Sequence, residues 1–172
     1  MARHDTALTR LVALTVTLAC ACAPQPANPS PVAERLPPMP VENLAGEPTQ
    51  IDSIVRGRVA LVSLWATWCD GCQREIEALN RLGEATSSRH DMVVIGVAVG
   101  EPRATIAEFA RSRGLRYMQL IDAKFAFADA LGERHVPSTL VVDRSGRIVY
   151  RGNALDADGL SALRVAIAAG DH

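Results

Sequence analysis

The sequence predicts an α/β protein with a mixed central sheet covered by helices on both faces. Three observations carry this. Val59–Trp65 and Met92–Val99 are apolar runs, the second rich in β-branched residues, as expected of buried strands. Segments with helical apolar spacing alternate with the strands, which requires parallel strands joined by right-handed crossovers. Asp143-Arg144-Ser145-Gly146 has hairpin-turn composition between two short strands, and adds an antiparallel strand at the edge.

Taken in order, residues 1–22 read as an export signal. Arg3 and Arg10 supply a basic start, and Leu11–Ala19 is an apolar stretch too short to span a bilayer. Thr17-Leu18-Ala19-Cys20 resembles a lipoprotein processing site with Cys20 as the lipid-bearing residue. Ala19-x-Ala21 and Ala21-x-Ala23 offer ordinary signal cleavage instead. Residues 23–40 hold seven of the ten prolines and read as an extended tether outside the fold.

The globular domain is expected over residues 41–170. Val41–Leu44 and Gln50–Ile54 read as a short strand pair or a lead-in. Val59–Trp65 is a strand, and residues 69–84 form a helix with Cys72, Ile76, Leu79 and Gly83 on one face. Met92–Val99 is the next strand. Pro102 opens a helix that runs to Arg113 with Ile106, Phe109 and Ala110 facing in, and Gly114 stops it. Tyr117–Ile121 is a strand and Ala123–Leu131 a helix. Thr139–Val142 and Arg147–Arg151 form the hairpin. Asp156 caps a last helix whose apolar face is Leu160, Leu163 and Ile167.

The 172 residues suffice for one domain with a real core, and 48% of them are hydrophobic. The formal net charge is −1, with no basic run, so composition gives no sign of nucleic acid as a partner. Four cysteines fall in two close pairs, Cys20/Cys22 and Cys69/Cys72, too few and too clustered for a disulfide scaffold. No Gly-rich phosphate loop and no adequate metal-ligand cluster points to a cofactor.

Chemistry concentrates at Trp65-Ala66-Thr67-Trp68-Cys69-Asp70-Gly71-Cys72, where a buried strand hands over to a helix. The unpaired N–H groups and positive dipole end of that helix favour a thiolate at Cys69. A thiolate attacks disulfides, and a second thiol one turn on can resolve the mixed disulfide.

With Val136-Pro137-Ser138-Thr139 downstream, this motif resembles thioredoxin-fold thiol–disulfide oxidoreductases, and among them the exported TlpA/ResA-like branch. The resemblance covers residues 41–170 and implies a thioredoxin-like three-layer α/β/α sandwich. It implies Cys69 as the exposed attacking cysteine, Cys72 as the more buried resolving one, and a redox-active disulfide between them. Pro137 matches a cis-proline facing the pair. Trp68 and Val136 are expected to contact a protein substrate, and Trp65 to be core. The resemblance favours reduction of protein disulfides, as in cytochrome c maturation or metal-site assembly. It implies a membrane thiol electron donor and a site on the periplasmic side of a bacterial membrane.

There are departures. Thioredoxins proper carry a buried Asp where Ser63 stands. Glu101 matches a carboxylate of the narrower branch and is expected either to accept the Cys72 proton or to complement the Pro102 helix. Asp70 opposes a Cys69 thiolate by like charge, or caps the helix. Two alternatives remain in view. A Cu(I) carrier would use Cys69, Cys72 and His135, since soft thiolates and imidazole suit that ion; otherwise His135 is a loop histidine. A peroxiredoxin-like peroxidase would need a Thr three residues before its cysteine and a nearby proline. Here Thr67 is two before Cys69, with no proline beside it. Phe109, Phe125 and Phe127 read as packing.

Overall fold

In the computed structural model, which describes residues 35–170, strands and helices alternate. The order is β1 (Pro40–Asn43), β2 (Pro48–Gln50), α1 (Ile51–Val55), β3 (Val59–Trp65), α2 (Asp70–Thr86), β4 (Met92–Val99) and α3 (Arg103–Ser112). It continues with β5 (Met118–Asp122), α4 (Ala126–Leu131), β6 (Ser138–Val142), β7 (Ile148–Gly152) and α5 (Ala157–Ala168). The strands form one sheet in the order β2-β1-β5-β4-β3-β6-β7. β3, β4 and β5 run parallel, while β1, β6 and β7 are antiparallel to their neighbours.

Every residue of β3 and β4 is buried, because helices cover both faces and successive side chains point opposite ways. Val59 and Leu61 meet Leu79 of α2 and Leu163 and Ala166 of α5. Ala60, Val62 and Leu64 meet Ile51 and Val55 of α1 and Phe127, Ala128 and Leu131 of α4. The three-layer α/β/α architecture is therefore the expected one.

Register then builds the site. The antiparallel pairing of β3 with β6 sets Leu64 opposite Ser138, so Pro137 lies beside the chain that leaves β3. The parallel pairing of β3 with β4 sets Trp65 opposite Ala98, so the residues after Val99 lie beside those after Trp65.

Four expectations are corrected. Residues 35–40, read as the end of the tether, belong to the fold. Leu36 is buried in the same cluster as Val41 and Ile148, its N–H bonds the Gly146 carbonyl at 2.8 Å, and Pro40 opens β1. Proline content concealed one well-placed leucine. Gln50–Ile54 is not a strand: after Gln50 the chain turns into α1, where Ile51 and Val55, four apart, are both buried. The helix expected from Ala123 starts at Ala126, because Phe125 takes a left-handed backbone with φ 60°. In α5, Leu163 is buried as expected, but Gly159 and Ala166 share its inner face, while Leu160 and Ile167 are only half-buried. The export signal, Cys20 and most of the proline-rich segment lie outside the described residues. Among the described residues, no helix is long and apolar enough to cross a membrane.

Candidate active site

Cys69 is the N-cap of α2, with extended backbone, and its Sγ accepts the Cys72 N–H at 3.1 Å. A side chain that accepts at this position satisfies one of the orphan donors of the first turn. The sequence therefore places a sulfur at the positive end of a 17-residue helix. Cys69 and Cys72 are joined as a disulfide, with Cα atoms 5.3 Å apart.

Both cysteines are buried, 6% and 4% exposed. The expected contrast between an exposed and a buried cysteine is absent from this disulfide form. Both pack with Trp65, Ala66, Ala98 and Ile106 in one apolar cluster. Asp70 is exposed in the first turn and is not the cap, a position Cys69 occupies.

The Val136–Pro137 peptide is cis, as expected. The Pro137 ring lies so near Gly71 that a Cβ there would stand 3.1 Å from its Cδ. A residue without a side chain between the cysteines thus lets the proline loop close on the motif. Trp65 is core: its Nε1 donates to Gln119 Oε1 at 3.1 Å and its ring meets Phe109 at 5.5 Å. Trp68 is 65% exposed. It borders a cavity of about 230 Å³ together with Leu64, Val99, Phe125, Ala128 and Val136.

Glu101 reaches the motif but not as a helix cap. Pro102 is the N-cap of α3, with no side-chain cap bond. The Thr67 N–H donates to Glu101 Oε2 at 2.7 Å and the Thr67 hydroxyl donates to Oε1. Both oxygens therefore hold the turn two residues before Cys69. Ser63 is buried, opposite Gly96 on one side and Thr139 on the other.

Glu75 was not singled out in the sequence. It follows Cys72 by three residues, which makes the two neighbours on the helix surface. Its Oε1 accepts the Leu155 N–H at 2.8 Å, and its Oε2 is buried with no hydrogen-bond partner among the described residues. Burial pushes its carboxyl above the ordinary range. The Leu155 N–H and Arg74 pull the other way, and Asp156 adds to the rise. The i, i+3 spacing from Cys72 was the signal available. Phe125 is the second omission: it is 44% exposed, not the packing residue expected, and no local pattern reveals that.

His135 is exposed, with its Nε2 2.6 Å from Asn153 Oδ1. Among the described residues, no three His, Cys, Asp or Glu side chains gather as a metal-binding group, so the Cu(I) set of Cys69, Cys72 and His135 is not assembled.

Residues 32–151 match the AhpC/TSA family. The thiol–disulfide oxidoreductase ResA of Geobacillus thermodenitrificans is 30% identical over 93 residues, 54% of this chain and 53% of that protein. The thiol:disulfide interchange protein DsbE of Vibrio cholerae is 30% identical over 123 residues, 70% of this chain and 64% of that one. The chain thus spans between half and two thirds of the length of these relatives. A secreted thiol-disulfide isomerase of Corynebacterium glutamicum superposes with a TM-score of 0.67 at 23% identity, covering 80% of this chain and 86% of that one. A thioredoxin family thiol:disulfide interchange protein of Chlorobium tepidum gives 0.66 at 22%, covering 80% and 99%. These likenesses show a thioredoxin-like fold.

Proposed function

The chain belongs to the AhpC/TSA family of thioredoxin-fold proteins, and on that premise we propose that it is an exported thiol–disulfide oxidoreductase that reduces protein disulfides. One observation carries the reading: the Cys69–Cys72 disulfide caps α2 while Pro137 closes on the Gly71 between the two cysteines. The relatives named ResA and DsbE support it.

In the reduced protein, the Cys69 thiolate attacks one sulfur of a substrate disulfide. That S–S bond breaks, the other substrate sulfur leaves as a thiolate, and a mixed disulfide forms. Cys72 gives up its proton and attacks the Cys69 sulfur. The second substrate thiolate leaves, and Cys69–Cys72 is oxidised. The substrate gains two electrons and, with protons taken up, two thiols. The helix N-terminus stabilises the Cys69 thiolate. Pro137 and Val136 present backbone to the substrate, and Trp68 gives it an apolar contact.

Glu75 is the carboxylate we assign to the Cys72 proton. Its position one turn away and its raised pKa support that role. Glu101, with both oxygens on Thr67, holds the motif in place. A membrane thiol donor returns the pair to the dithiol form. The substrates are disulfides that must be opened before cytochrome c maturation or metal-site assembly. Cys20 anchors the protein by lipid on the periplasmic side of a bacterial membrane. An unacylated mature N-terminus beyond Cys20, by mass spectrometry, would remove the anchor from this account.

The deciding experiment is the reduction potential of the Cys69–Cys72 couple in glutathione or dithiothreitol buffers, beside Cys69→Ser in a disulfide reduction assay. A potential near that of thioredoxin, about −270 mV, with Cys69→Ser inactive, is expected. A potential near about −120 mV would make the protein an oxidant. Full reductase activity in Cys69→Ser would end the dithiol reading.

A further inference from the structure

Phe125 stands in a backbone conformation that bulky side chains rarely adopt, with φ 60°. It is the only residue other than glycine with a positive φ among the described residues. Such outliers persist where the surroundings over-determine them, and they concentrate at functional sites. Here the surroundings are explicit. The Phe125 N–H bonds the Asp122 carbonyl at 3.2 Å, and the Asp122 Oδ2 accepts the Ala128 N–H at 2.9 Å at the start of α4. The tip of its ring abuts Gly100: a Cβ on Gly100 would be 2.1 Å from Phe125 Cζ.

This strained aromatic is not buried for its trouble, since it remains 44% exposed. It lines instead the cavity of about 230 Å³ that Trp68 also lines. The buried Leu64, Val99 and Ala128 and the half-buried Val136 line it too. Trp68 precedes Cys69 and Val136 precedes Pro137, so two of the cavity's lining residues adjoin the cysteine and the cis-proline in the chain.

We propose that Phe125 and Trp68 are the two aromatic walls of a specificity pocket that takes an apolar side chain of the protein substrate beside its reacting cysteine. The inference rests on the dithiol reading above and names the side chain that site prefers. The charged and polar groups at the rim favour an apolar occupant because they are engaged with partners. Asp129 pairs with Arg134 at 3.6 Å, Glu133 with Arg151, and His135 with Asn153. Each already has a partner, whereas Leu64, Trp68, Val99, Phe125, Ala128 and Val136 offer apolar surface.

The test uses the full chain, Phe125→Gly and Phe125→Asn, two residues that tolerate a left-handed backbone. Two short disulfide-linked peptides serve as substrates, alike except for leucine or serine next to the cysteine. The readout is the ratio of kcat/KM for the leucine peptide to that for the serine peptide. With one wall removed, the ratio should fall about tenfold in both variants, the scale of discrimination in a hydrophobic pocket. An unchanged ratio in a folded variant overturns the pocket while leaving the dithiol chemistry in place. If the unaltered chain exchanges with neither peptide nor with glutathione disulfide, the dithiol reading itself fails, and the pocket with it.

Discussion

Replacing Glu101 separates a residue that holds the active-site turn from one that carries a proton. Its carboxylate accepts two hydrogen bonds from Thr67, one from the backbone N–H at 2.7 Å and one from the hydroxyl. A hydrogen bond to a charged acceptor contributes about 1.5–3 kcal/mol, and a buried donor left without a partner costs about 1–3 kcal/mol. The site is half-buried, so the lower half of these ranges applies. Glu101→Ala removes both bonds, a loss of about 3–4 kcal/mol. Glu101→Gln keeps one oxygen for the N–H and presents an amide to the hydroxyl, which can act as acceptor, so its loss should stay below about 1 kcal/mol. The assay is urea denaturation of the oxidised protein together with the rate of exchange with glutathione disulfide across pH. The Ala variant should be destabilised and slow, and the Gln variant close to the parent in stability and in the shape of its pH profile. If Glu101→Gln is as slow as Glu101→Ala and loses one limb of the profile while remaining stable, Glu101 is the proton acceptor and the holding role is refuted.

Two further outcomes are expected. Burial raises the Glu75 carboxyl, so the folded protein binds that proton more tightly than the unfolded chain does. Its contribution to stability is complete below the ordinary value of 4.5 and is lost as pH rises through the raised value. Urea denaturation across that window should show the oxidised protein weakening with rising pH and Glu75→Gln showing a smaller slope; equal slopes would remove the carboxyl from the account. Leu36→Ala should cost about 2–3 kcal/mol in thermal or urea denaturation, at the lower end for a buried leucine. A change within about 0.5 kcal/mol, the range of surface substitutions, would return residues 35–40 to the tether.

What the sequence made legible follows from how local each signal is. β3 and β4 were readable to the residue because both faces are covered and every position had to be apolar or small. The cysteine pair at the head of α2 was readable because a strand–helix junction is a local event. Leu36 was not, since nothing in a proline-rich run marks the one side chain that reaches the cluster around Val41 and Ile148. Phe125 was read as packing because an aromatic beside Ala126 and Phe127 gives no local warning of a left-handed backbone. That conformation depends on Asp122 and on the bare Gly100, one at the end of the preceding strand and the other on a neighbouring strand's exit. Glu101 was placed near the motif by resemblance, but its partner Thr67 is fixed only by the parallel register of β3 and β4.

Ser63 makes the position of Glu75 intelligible. Ser63 lies mid-strand in β3, flanked in register by Gly96 and Thr139, with ladders on both sides. A carboxylate there would be fully desolvated among strands whose N–H groups already serve the ladders, and burying an unpaired charge is costly. Glu75 sits on α2 instead, where one oxygen reaches the Leu155 N–H and Arg74 stands beside it in the chain. Only the second oxygen is left buried without a partner. Burial in that half-satisfied state raises the pKa, as the proton role proposed for Glu75 requires, without the cost of complete burial. The helix also keeps the two residues neighbours: positions three apart hold their Cβ atoms about 5–6 Å from each other. Cys69, Cys72 and Glu75 therefore sit at the N-cap and in the first two turns of one helix, where the proton role proposed for Glu75 would act.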